Sequence, residues 1–221
     1  MKQGCDLEKC FLCRNSLPEW REAICTHKKN LKFNKGERLF SEGDEVKGIY
    51  FVYSGIVKVH QNWGDGKEMT IRFASDGGII GHRDFFPGNT YSVSASAVEP
   101  VVVCYFEVDF FKTSLKVNHQ LTYNLMLFFA QELGEAEQTM RDMAAMPVKE
   151  RLKKALIKLK HQFGTDGEGY INIMLPRQDI AYYTGTTYET IFRTLNEMRD
   201  EGLVVMDGKR IGLLDDKIKA K

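Results

Sequence analysis

Cys5, Cys10 and Cys13 follow one another at C-x4-C-x2-C spacing, and Cys25 lies a short way beyond them. Thiolates this close together can share a metal. The spacing is that of the first three ligands of a plant-type iron–sulfur motif, whose fourth cysteine lies far along the chain. Zinc also takes thiolates at close spacing. The plainer alternative is an arm of reduced thiols. A second set of groups, with different chemistry, runs from Thr187 to Asn196. On a helix, Tyr188, Glu189, Phe192, Arg193 and Asn196 share one face, and those near its start are the first to reach a partner. Arg makes bidentate contacts to guanine, Glu accepts from cytosine, and Phe meets the methyl group of thymine. Together these are groups that read base edges in double-stranded DNA. Plainer roles compete here too: Glu189 as a helix cap and Phe192 as core.

The second set needs a scaffold, and residues 176 to 201 supply one. Pro176 suits a helix start, since its missing N–H is not needed there. Ile180 and Ala181 give that first helix an apolar side. Thr184-Gly185-Thr186 ends it, and glycine accepts the positive φ of a sharp turn. Thr186 and Glu189 form S/T-x-x-E, a capping box, so a second helix is expected to begin there. Ile191, Leu195 and Met198 fall at helical spacing toward a core, and Gly202 stands where a helix-ending glycine belongs. Two helices about a glycine turn describe a helix-turn-helix. Leu203–Met206, a turn at Asp207-Gly208, and Lys209–Leu213 read as a β-hairpin. Tyr170–Met174 reads as a further short strand. Helix-turn-helix plus strands is a winged helix, with Lys209 and Arg210 near the hairpin tip for phosphate.

The chain of 221 residues is 43% hydrophobic with a net charge of +1. That suits one large or two small packed domains and excludes a strongly basic or acidic binding protein. From Pro147 onward there are 14 Lys and Arg against 11 Asp and Glu, so the only positive bias lies in the segment expected to meet DNA. No apolar run is long enough to span a bilayer and no secretory signal is visible, so a cytoplasmic protein that does not engage membranes is expected. Cysteines in that compartment are thiols or ligands more often than structural disulfides.

From residue 30 to 110, β-prone runs alternate with Gly and Asp turns: 31–33, 38–40, 48–53, 56–60, a turn at Asp65-Gly66, 69–73, 91–98 and 101–106. Short strands with regular turns indicate an antiparallel barrel or sandwich. From about Phe110 to Met143 the period becomes helical. Met126, Phe129, Leu133, Ala136, Met140 and Met143 step by threes and fours, the stripe of a helix packed along another helix. A twin from a second copy is the economical partner. Leu125 and Phe128, beside the stripe, suit packing on the barrel. Pro147 breaks the pattern, and Lys149 to Phe163 is again amphipathic. The expected fold is α+β: a cysteine-bearing arm (1–25), an antiparallel β-roll or double-stranded β-helix (26–115), a long dimerisation helix (116–146) and a winged helix-turn-helix (147–221).

This order resembles the Crp/Fnr family of bacterial transcription regulators. The resemblance is carried by Gly36-Glu37-x-Leu39-Phe40, Glu42-Gly43-Asp44, Gly48 to Gly55, Asp65-Gly66-Lys67-Glu68 and Gly185 to Arg193. It implies a homodimer on an inverted-repeat operator, with two recognition helices in successive major grooves about 34–36 Å apart. It also implies RNA polymerase as a further partner if the regulator activates. The resemblance puts Glu189 and Arg193 at the base-contacting positions. Tyr188 stands where one branch has Arg, and Phe192 where the oxygen-sensing branch has Ser. The implied DNA-binding set is Thr187, Tyr188, Glu189, Phe192, Arg193, Asn196 and Lys209.

The resemblance also places an effector pocket at Gly81, His82, Arg83, Tyr91 and Ser92. Cyclic-nucleotide-binding members carry a Glu after the loop glycine and an Arg-Ser pair at its end, the charge a phosphodiester needs. His82 replaces that Glu, Tyr91 replaces that Arg, and Arg83 is out of phase, so cyclic AMP is not the expected effector. The oxygen-sensing branch holds a cluster with three N-terminal cysteines and one in the last barrel strand. Cys5, Cys10, Cys13 and Cys104 stand at the matching places, for a 4Fe–4S or 2Fe–2S cluster, although the arm departs from the branch's C-x2-C-x5-C and Cys25 is an alternative ligand. Haem, for which His60, His82 and His119 are candidates, ranks below the cluster. The competing functions are a cupin-like metal-dependent enzyme, for which no H-x-H is present, and a cluster-bearing electron carrier, which leaves the last third of the chain without a role.

Overall fold

The computed structural model describes residues 7–64, 67–85 and 90–214. Cys5, the Asp65-Gly66 turn and part of the loop before Tyr91 lie outside them. The chain divides into two compact units, Met1–Gly134 and Glu135–Lys221.

In the first unit the arm is folded. It forms α1 (Phe11–Asn15), a 3-10 turn (Pro18–Trp20) and α2 (Arg21–His27). Eight strands follow among the described residues: β1 (Lys29–Phe33), β2 (Arg38–Phe40), β3 (Gly48–Ser54), β4 (Val57–Asn62), β5 (Glu68–Ala74), β6 (Ile79–Ile80), β7 (Ser94–Ala97) and β8 (Val101–Glu107). They form two antiparallel sheets, in the orders β1-β8-β3-β6 and β2-β7-β4-β5. The short β6, between the expected runs 69–73 and 91–98, pairs Ile80 with Tyr50.

The uninterrupted apolar runs of β3 and β8 have a physical reason. Tyr50, Val52, Val101 and Val103 point into the core between the sheets. Ile49, Phe51, Cys104 and Phe106 point to a second core on the other face, against Phe11, Leu12, Ile24, Phe111, Leu121 and Leu125. A strand covered on both faces has no place for polar alternation. Each fully buried Ile or Phe there contributes about 1.5–3 kcal/mol. Leu125 and, partly buried, Phe128 therefore do pack on the roll.

The helix read continuously from Phe110 is two helices, α3 (Val108–Val117) and α4 (His119–Ala145). They part at Asn118, whose buried side chain donates to Ser114 O (2.8 Å) and accepts from the Leu17 amide (2.7 Å). Two further bonds tie the arm to these helices: Trp20 Nε1 to Ser114 Oγ (3.0 Å) and Asn124 Nδ2 to Asn15 Oδ1 (2.6 Å). The arm is thus fixed by both apolar burial and directional bonds.

The second unit holds α5 (Val148–Phe163), α6 (Arg177–Thr184), α7 (Tyr188–Asp200) and the hairpin β9 (Val204–Asp207) and β10 (Arg210–Leu213). Leu152, Leu156, Leu159, Ile180, Ile191, Leu195, Met198 and Ile211 are buried. Residues 170–174 are not a regular strand. They make only isolated bridges, Tyr170 to Gly212 and Ile171 to Thr165, while Ile171 and Ile173 fill the core. The hairpin turn falls one residue later than expected, at Gly208-Lys209, because Arg210 pairs with Asp207.

Candidate nucleic-acid interface and cysteine cleft

Gly185 ends α6 in the left-handed region (φ 63°, ψ 50°), the conformation that makes the turn sharp. The next helix is capped by Thr187, one residue after the expected Thr186. Its Oγ1 accepts from the Thr190 amide at 3.3 Å, and the two threonine hydroxyls are 3.0 Å apart. Glu189 is thereby released from capping and stands exposed in the first turn. At the far end, the Gly202 amide donates to Arg199 O and the Leu203 amide to Met198 O, closing the helix on glycine.

One face of α7 is entirely internal: Ile191, Thr194, Leu195 and Met198 are buried. The other carries Thr187, Tyr188, Glu189, Phe192 and Arg193, all exposed, with Asn196 half-buried at its edge. Phe192 is therefore not core. The rings of Tyr188 and Phe192 stack at 6.3 Å between centroids and 17° between planes. Arg193 makes an exposed ion pair with Glu197, Nε to Oε1 at 3.7 Å, a contact weak enough to give way to a guanine.

Lys209 is exposed at the hairpin tip. Arg177, which sequence reasoning passed over, fixes that tip by donating to Gly208 O (2.9 Å) and Lys209 O (3.4 Å). Arg210 faces Asp166 and Glu168 at 2.7 Å each, which hold its guanidinium above its ordinary range and neutralise it as a phosphate ligand.

In the first unit, Cys10, Cys13 and Cys104 line one cleft, together with Lys9, Lys28, Phe51 and Gly77. Cys10 is the N-cap of α1, Cys13 lies within that helix, and Cys104 lies on β8 opposite Phe51. The helix is held there by Gly77. Its carbonyl accepts from the Phe11 amide at 3.0 Å, and a Cβ on it would fall 2.2 Å from Lys9 O. Cys25 is exposed on α2, outside the cleft lining. The cleft has a volume of about 10 Å³, room for one water. Among the described residues no group of three Cys, His, Asp or Glu side chains is drawn close enough to hold a metal ion. The donor set nevertheless suits a thiolate-held cluster. Three cysteines line one cleft, with Lys9 and Lys28 beside them to offset thiolate charge.

Of the residues expected to line an effector pocket, His82 and Arg83 share one internal partner, and Tyr91 and Ser92 each have another. His82 is buried with Nε2 3.0 Å from Glu132 Oε2, and Arg83 Nε is 3.3 Å from the same oxygen. Arg72 Nε stands 2.8 Å from Glu132 Oε1. Burial opposes ionisation of Glu132, but the His82 hydrogen bond and the two arginines outweigh it and hold the carboxyl at about 2. Tyr91 is buried, donates to Gly48 O at 2.6 Å and stacks on Phe40 at 3.9 Å. Gly81 (φ 76°) passes beneath its ring. Ser92 gives both its amide and its hydroxyl to Asp84 Oδ2, at 2.9 Å each. The Glu132 clamp and Asp84 had no signal in the sequence, since each is a carboxylate that finds its partners only through the fold.

Residues 30–118 match the cyclic nucleotide-binding domain and residues 150–217 the Crp-like helix-turn-helix domain. The anaerobic regulatory protein of Bacillus subtilis is 28% identical over 199 residues, covering 89% of this chain and 82% of that protein. The transcriptional activator protein Anr of Pseudomonas aeruginosa is 27% identical over 190 residues, 85% of this chain and 78% of that protein. Among solved structures, FixK2 of Bradyrhizobium japonicum superposes with a TM-score of 0.77 at 22% identity, over 86% of this chain and 94% of that one. No helix among the described residues is long and apolar enough to cross a membrane.

Proposed function

Because the chain belongs to the Crp/Fnr family of transcription regulators, we propose that it acts as a homodimer on an inverted-repeat operator, with α7 in the major groove and the cysteine arm as its signal input. The observation that carries this reading is the division of α7 into one wholly buried face and one exposed face bearing Glu189 and Arg193. In this reading Lys209, on the hairpin tip that Arg177 fixes, meets backbone phosphate.

The dimer is supported by α4. Met126, Leu133 and Met140 recur at seven-residue steps and are 56%, 61% and 66% exposed. An apolar stripe of that period is covered by a parallel copy of itself. A regulator of this kind contacts RNA polymerase where its operator position makes it an activator.

For the input, Cys5, Cys10, Cys13 and Cys104 would hold an iron–sulfur cluster. When bound, the cluster supplies a centre sensitive to oxygen or redox potential. The residues do the rest. Cys10 and Cys13 sit on an arm joined to α3 and α4 through Leu17–Asn118, Trp20–Ser114 and Asn15–Asn124. A change at the cleft therefore reaches the helix that carries the dimer stripe. Cyclic AMP is not the input in this reading, since Tyr91 and His82 are committed to Gly48 and Glu132. Neither the cupin-like enzyme nor the electron carrier accounts for α7.

Selection from duplexes with randomised inverted half-sites, using protein prepared without oxygen and the same protein exposed to air, tests the reading. Enrichment of one inverted repeat, bound by two chains and to different extents in the two preparations, is the expected result. Failure of a folded dimer to enrich any sequence would sink it.

A further inference from the structure

Tyr188 and Phe192 are 44% and 55% exposed, and their rings lie nearly parallel on the same face of α7 as Glu189 and Arg193. A helix whose apolar core face is complete has no internal use for two more aromatic groups. Stacked at i and i+4, they form a flat apolar plate on the surface expected to enter the groove. The polar edges of base pairs and the phosphates gain nothing from such a plate. The major groove offers one apolar group, the C5 methyl of thymine.

We propose that the Tyr188–Phe192 pair reads thymine methyl groups and so sets the operator preference of this protein. The proposal rests on the DNA-reading role of α7 and names what that surface recognises. Four residues advance a helix by about 6 Å, matching the 6.3 Å between ring centroids. Base pairs are stacked about 3.4 Å apart, so the plate spans about two steps. The half-site is then one G·C pair, read by Arg193 and Glu189, and two thymine-bearing pairs two steps apart. Phe192 contacts its methyl with the ring alone. Tyr188 contributes its ring face, and its hydroxyl is dispensable.

The test uses the full-length protein and the duplex it selects from the randomised library. Deoxyuridine replaces each half-site thymidine in turn, which keeps the base pair and removes only the methyl. Loss of about fourfold in affinity per methyl is expected at two positions two steps apart, the worth of one buried methyl-sized group. Phe192→Ala should bind the thymidine duplex more weakly and lose sensitivity to deoxyuridine at one of those positions, while Tyr188→Phe should keep it. Matching melting curves of the variants establish that they fold. Equal binding of thymidine and deoxyuridine duplexes by the wild-type protein, with sequence selection intact, would overturn the proposal alone. Absence of any selected sequence would overturn the DNA-reading role beneath it.

Discussion

His82 Nε2 stands 3.0 Å from Glu132 Oε2, joining the loop after β6 to the middle of α4. Burial pushes the imidazole below its usual 6.5, against the pull of the Glu132 hydrogen bond and with the help of Arg72 and Arg83. The ring is therefore neutral, and it donates Nε2–H to a carboxylate.

A pH dependence follows from that pair. Above pH 6.5 neither the folded nor the unfolded chain protonates His82, and stability is flat with respect to it. Below 6.5 the unfolded chain takes up a proton that folded His82 resists, so stability falls. Glu132 adds a second loss between its ordinary 4.5 and about 2. Both tryptophans, Trp20 and Trp63, lie in the first unit, so their fluorescence reports its unfolding. Urea midpoints should drop from pH 8 to pH 5 in the wild type and drop less in His82→Gln.

Removing the carboxylate should cost far more than removing the imidazole. Glu132→Gln leaves Arg72 and Arg83 beside an uncharged group in a site only 11% exposed at Glu132. Breaking a buried pair from one side costs about 3 kcal/mol or more. Chemical denaturation at pH 7 should show that loss, and restored stability in a variant with Arg72 also made apolar would identify uncompensated charge as its origin.

Gly77→Ala tests what holds the arm. The substitution meets a positive φ of 83° and a backbone oxygen of Lys9 at 2.2 Å. The conformation alone costs about 1–2 kcal/mol, and the clash is relieved only by lifting the arm away. Faster proteolytic cleavage within residues 7–27, with the β-roll intact, is the expected outcome.

Leu133→Asp places a charge in the centre of the α4 stripe. Leu133 is exposed in the single chain, so folding of each copy should be unchanged while association is lost. Sedimentation should report a dimer for the wild type and a monomer for the variant.

Much of this was legible from residue types. The strands announced themselves by glycine and aspartate turns, and α7 by its glycine and its buried periodicity. What was not legible depended on contacts distant in sequence. β6 is two residues long and exists because β3 offers it an edge. The break at Asn118 carries no proline or glycine, since the side chain itself replaces the missing backbone partners. Thr186 and Thr187 are equally good caps on paper, and the turn geometry chose the second. Cys10, Cys13 and Cys104 could be matched by family resemblance, but only the packing of α1 on β8 brings them to one cleft.

The most direct test of the account is an anisotropy titration of the selected inverted repeat with wild-type protein and Arg193→Ala. The Arg193 side chain is 74% exposed, so its loss should leave the melting temperature within experimental error. Affinity should fall by about 10- to 100-fold, the worth of a bidentate guanine contact, with two chains per duplex in both cases. Equal affinity of the two proteins for that duplex would contradict the placement of α7 in the groove.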